Sequence, residues 1–174
     1  MGTWCAFTLW CISFFGHSAH FRVVGMPVVW MISSKGTEAT IIFFLNFVKV
    51  RSPEIMPVII MSDRDHAQMN VIKAIYSEST LLLCWWHVLR AMRTHFHMEE
   101  TPKLWERVCE WVRTPDQTQF VSWWEEMQAD PAAPQSFIDY LRNNWMPITA
   151  LWSGSALKNR TIFQEGDTNM LIEA

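Results

Sequence analysis

Two short, continuously apolar runs, "PVIIM" at residues 57–61 and "TLLLCWW" at 80–86, constrain the fold of this chain more than any other feature. Each has strand length and β-favouring content, the pattern of a strand covered on both faces. Between them, Asp65 to Tyr76 has helical spacing, with Ala67, Val71, Ile72 and Ile75 as its apolar stripe. Two buried strands joined through a helix form a parallel crossover, so the expected class is α/β. "HVLRAMRTHF" then opens another helix.

Upstream, residues 4–13 and 27–33 read as strands joined by a loop from Gly16 to Gly25. Thr37 can cap a helix with Ala39, Ile42, Phe43 and Phe47 as its apolar positions, ended by "RSPE". The uncharged start "GTWCAFTLWCISFFG" lacks the positive lead of a signal peptide and is too short to cross a bilayer. No membrane partner is expected.

After residue 99 the pattern becomes helical. "TPKLWERVCEWVR", "TPDQTQFVSWWEEMQA" and "APQSFIDYLRNNW" each open on a proline-containing start signal. Trp105–Val108–Val112, Phe120–Trp124–Met127 and Phe137–Leu141 form one apolar face each. The expected organisation is an α/β part at 1–98, a helical insertion at 99–150, and a return segment at 151–174 that ends as a helix begins.

Half of the 174 residues are hydrophobic and 11 are tryptophan, which requires a folded, aromatic-rich interior. A net charge of −3 gives no global attraction to nucleic acid, so any DNA contact needs a local basic face. Cys5, Cys11, Cys84 and Cys109 have no paired spacing and read as reduced thiols of an intracellular protein. The tryptophan pairs Trp85–Trp86 and Trp123–Trp124 lie on apolar faces and read as core or core-edge rather than base-stacking platforms.

Asp63, just past "PVIIM", stands where α/β sheets gather functional groups. A carboxylate there can hold a hard divalent cation, but Ser62, Asp63 or Asp65 could equally cap the next helix, and capping is the commoner role. The pair of acids allows a division of labour, with Asp65 as cap and Asp63 facing a site. Cys84-x-x-His87 supplies two of the four ligands zinc needs. His95, His97 and Cys109 complete no recognisable pair, which disfavours zinc. Alternatively, His87, Arg90 and Arg93 share a helical side that could meet a phosphate backbone.

The strand ending in S-D-x-D, then A-x-x-x-x-I-K-x-I, then L-L-C-x-W-H-V-x-R-A, resembles the transposase domain of Mutator-like elements. "GMPVVWMISSKGTEATIIFFLNFVK" fits the same pattern upstream, and "DTNMLIEA" is similar to the segment holding that family's last catalytic acid. The resemblance covers about residues 24 to 174. It implies an RNase H-like mixed sheet with an all-helical insertion before the last catalytic helix. Three carboxylates there hold Mg²⁺ or Mn²⁺ for cleavage and transfer of DNA strands at transposon ends. On this mapping Asp63 is the second acid and Glu173 the third, while Cys84, His87, Arg90 and Arg93 lie on the DNA-handling side. Nuclear location and a homo-oligomer are the matching expectations.

The chain departs from the pattern in two places. No Asp or Glu precedes Glu38, so the first strand and its acid are expected to be missing, and Glu173 stands one residue from the end. Fewer ligands and no supporting helix imply an inactive, truncated copy. A non-catalytic DNA-binding or protein-interaction remnant is the alternative.

Overall fold

The computed structural model describes residues 8–18, 21–34, 36–54, 56–96 and 102–157. They form a mixed α/β protein, mostly helical, that divides into two compact units, the first running to Leu82 and the second beginning at Leu83.

The first unit opens on an antiparallel hairpin of β1 (Thr8–Ser18) and β2 (Phe21–Ser33). Both strands run through most of the loop expected from Gly16 to Gly25. Antiparallel pairing needs only backbone groups, so the polar and glycine residues there do not stop the ladder. The register slips by one residue between Ile12↔Val29 and Ser13↔Pro27. Proline has no N–H to give a ladder, and such an irregularity accommodates it. Residues 4–7 of the expected first strand lie outside the described residues.

Helix α1 (Glu38–Arg51) begins at Thr37, whose hydroxyl accepts from the Thr40 backbone N–H. Strand β3 (Ile59–Ser62), helix α2 (His66–Ile75) and strand β4 (Thr80–Leu83) form the crossover expected from the two apolar runs. β3 and β4 make a small parallel sheet, separate from the hairpin. The single mixed sheet expected from the resemblance is therefore not formed among the described residues, because no described segment links hairpin and crossover edge to edge.

Two details correct the sequence reading. "TLLLCWW" is strand only to Leu83, and Cys84 already caps the next helix with its backbone. The Cys84 carbonyl already accepts the first helical bond, from the Val88 N–H at 3.0 Å, so the run turns into helix before its apolar content ends. In α1 the buried positions are Ile41, Phe44 and Leu45, not the expected Ala39, Ile42, Phe43 and Phe47. The helix is apolar all round, so spacing offered two stripes and packing on α2 selected one. Lys49 Nζ fastens this pair by donating to the Ile75 carbonyl at 2.7 Å.

The second unit is helical: α3 (Trp85–Arg93), α4 (Pro102–Arg113), α5 (Gln117–Ala129), α6 (Gln135–Asn144), a 3-10 helix (Met146–Leu151) and α7 (Gly154–Leu157). Asp116 caps α5, its carboxylate accepting from the Gln119 N–H at 2.8 Å. The core is built on tryptophan. Trp111 stacks on Phe120 at 4.8 Å and on Trp124 at 5.5 Å, and meets Trp152 edge-on at 5.3 Å. Buried indole N–H groups need acceptors, and backbone carbonyls supply them: Trp111 donates to Phe120, Trp152 to Trp145 and Trp85 to Trp152. Trp152 thus sits at the centre of the helical unit, although its sequence neighbourhood reads as an irregular return segment. Gly154 follows because the chain passes close to the end of α4. A Cβ there would stand 2.8 Å from the Thr114 carbonyl oxygen and closer still to that of Arg113.

Candidate functional site

Asp63 is the first residue after β3, and it is not the cap of α2. That role belongs to Asp65, in extended backbone conformation, whose Oδ1 accepts from the Gln68 N–H at 2.8 Å. Ser62 is buried, with its hydroxyl 2.8 Å from Gln68 Oε1 and 2.9 Å from the Asp63 carbonyl oxygen. These contacts hold the backbone around Asp63 and leave its carboxylate unused. Among the described residues that carboxylate, which is half-buried, has no hydrogen bond or ion pair. The capping half of the division of labour permitted by the two acids is the one observed: Asp65 caps α2 and Asp63 does not.

Glu173, the expected third acid, lies outside the described residues. Among the described residues no group of three or more His, Cys, Asp or Glu side chains converges on a point where a metal ion could sit. Asp63 by itself offers one or two oxygens to cations that take six or more ligands. The described side chains do not build a centre for Mg²⁺ or Mn²⁺, and no chemical step is assigned to one.

The remaining candidates belong to the second unit. Cys84 is fully buried at the start of α3, where a thiol behaves as a small apolar side chain. His87 lies in the first turn, edge-on to Trp86 with ring centroids 4.7 Å apart. The Arg90 guanidinium lies over the Trp86 ring, 4.8 Å from its centroid. Arg90 and Arg93 are exposed in the last turn, where positive charge also suits the helix dipole. Trp86, Arg90 and Arg93 follow i, i+4, i+7 spacing and so share one side of α3.

The first tryptophan pair divides into core and core-edge: Trp85 is buried, and Trp86 is half-exposed and serves as the platform for Arg90. The signal was present in the i, i+4 spacing of Trp86 and Arg90, which permits cation–π contact on a helix. Of the other pair, Trp124 is half-buried and stacks on the core residue Trp111, while Trp123 lines an open hollow of about 370 Å³ with Cys109, Glu110 and Gln119. Burial pushes the Cys109 thiol up, and neighbouring Arg113 only partly opposes this. A protonated thiol is a poor nucleophile. His95 stacks on Tyr140 at 3.7 Å and His97 lies outside the described residues, so no zinc-ligand set assembles from the described candidates.

No described helix is long and apolar enough to cross a membrane. In comparison with known proteins, the chain matches no protein-family model and no curated protein.

Proposed function

We propose that this chain derives from the transposase domain of a Mutator-like element, an RNase H-like protein whose ancestral role is metal-dependent DNA cleavage and strand transfer. The observation that carries this reading is the β3–Asp63–α2–β4 arrangement, in which Asp63 follows a half-buried parallel strand while Asp65 alone does the capping. A carboxylate unused by the fold at a strand's carboxyl end is the feature expected of a ligand-bearing acid.

The chain as it stands is proposed to be inactive in strand transfer. In-line attack on a phosphodiester uses two metal ions held together to activate the nucleophile and stabilise the leaving oxygen. One placed carboxylate does not hold such a pair. Purified chain, incubated with labelled duplex DNA and Mg²⁺ or Mn²⁺, is expected to leave the DNA intact. Cleavage or joining that disappears in Asp63→Ala refutes inactivity. The family reading is tested separately by the genomic sequence. In-frame codons before Met1 for an Asp-bearing strand, and after Ala174 for a continuing helix, would support it.

A second reading, a non-catalytic DNA-binding remnant in the nucleus, is favoured by the exposed Arg90–Trp86 pair with Arg93 beside it. Arginine and a half-exposed indole offer a phosphate contact and a stacking face. Salt-dependent binding of a DNA oligonucleotide, lost in Arg90→Glu/Arg93→Glu, supports it. Unchanged binding in that variant removes it.

A further inference from the structure

The basic side of α3 does not end at Arg93. Cys109 and Arg113 of α4 and Trp123 of α5 line the same open hollow of about 370 Å³. The Arg113 guanidinium turns back along α4 and donates to the Cys109 carbonyl at 3.4 Å. Burial holds the Cys109 thiol up, while the positive charges of Arg113 and Arg93 oppose it, so arginines from two helices flank one thiol. The helical unit therefore carries Trp86, Arg90, Arg93, Arg113 and Trp123 in succession, with an indole at each end and guanidinium groups between. Both indoles are half-buried and all three arginines are exposed. We propose that this succession is the path of a single, unpaired DNA strand, whose phosphates meet the arginines while a base stacks on Trp123 and another on the Trp86–Arg90 pair.

This rests on the second reading above, a DNA-binding remnant, and adds two residues of the helical block and the state of the strand. The arrangement of side chains selects the ligand. Cations bounded by aromatic faces suit a chain of repeating anions that carries planar rings beside them. In a duplex the bases stack on one another and present only their edges, so neither indole has a ring face to meet. An acidic peptide satisfies the arginines but brings no ring to Trp123. Opposing charge is also present: Glu110 lines the hollow, and Glu106 acts on the Cys109 thiol in the sense opposite to the arginines. Three guanidinium groups thus work against two carboxylates, so phosphate contacts alone hold the strand weakly and stacking decides its affinity.

Fluorescence anisotropy of a labelled oligothymidylate of roughly 12 nucleotides, alone or annealed to its complement, tests this on the intact chain. The single strand is expected to bind at least about fivefold tighter than the duplex. Its affinity should fall with salt at a log–log slope of about −2, for three phosphates neutralised. Trp123→Ala is expected to weaken single-strand binding about fivefold or more and to leave duplex binding within about twofold. Trp123→Phe keeps a ring and should stay near the parent, which separates lost stacking from lost folding. Arg113→Glu, at an exposed position, is expected to weaken single-strand binding about fivefold or more. Equal affinity for the two forms, or single-strand binding indifferent to Trp123→Ala, overturns the proposal. If Arg90→Glu/Arg93→Glu still abolishes binding in that case, the DNA-binding reading stands without it. Binding of neither form removes both.

Discussion

Replacing Asp65 with alanine should loosen α2, and replacing Asp63 should not. The Asp65 carboxylate accepts from Gln68 N–H at 2.8 Å and is the acid at the N-terminus of the helix, since no acidic residue lies in its first turn. Loss of such a cap costs about 1 kcal/mol, with a few tenths more from the lost charge–dipole interaction. Asp63 contributes no hydrogen bond or ion pair among the described residues, so Asp63→Ala should stay within about 0.5 kcal/mol. Global melts followed by tryptophan emission would chiefly report the helical unit, so the suitable assay is amide hydrogen exchange on peptides from α2. Asp65→Ala is expected to speed exchange there about fivefold, and Asp63→Ala by less than about twofold. Asp65→Asn retains the capping oxygen and should fall close to the parent. If Asp63→Ala loosens α2 as much as Asp65→Ala does, Asp63 is structural and the argument for a spare carboxylate fails.

Trp152→Ala should cost about 3–5 kcal/mol and lower the thermal midpoint of the helical unit, because it empties a fully buried site contacting Trp111 and Trp145. Gly154→Ala should cost about 1–3 kcal/mol in the same melt, since its Cβ meets the backbone at Arg113 and Thr114 rather than a movable side chain. Burial raises the Cys109 thiol, so its contribution to stability is complete below the ordinary thiol value of 9.0. As pH climbs past that value the unfolded chain ionises first and stability falls until the folded thiol ionises too. Urea titrations at rising pH should show that fall, and Cys109→Ala should reduce it. If the slope is the same in both proteins, the thiol is not shifted by folding.

Much of the crossover was legible from the sequence. Short apolar runs around an amphipathic segment have one economical arrangement, and β3–α2–β4 follows it with boundaries displaced by up to three residues. The helices α4 to α6 were equally readable, because each pairs a start signal with a 3.6-residue apolar period. The candidate acid was legible only as one of two. Asp63 and Asp65 are chemically identical, and only backbone geometry distributes their roles.

The sequence by itself determined local matters: which segments are helix or strand, which residues can cap, and which faces are apolar. These depend on neighbours within a few positions, so residue type and spacing suffice. The tertiary structure decided which apolar stripe of α1 is buried, that Trp152 is a core residue, and that Trp86 supports Arg90 in the open. Burial depends on what arrives from elsewhere in the chain. A helix apolar on every side, or a tryptophan in an irregular segment, carries no local mark of whether another element will cover it.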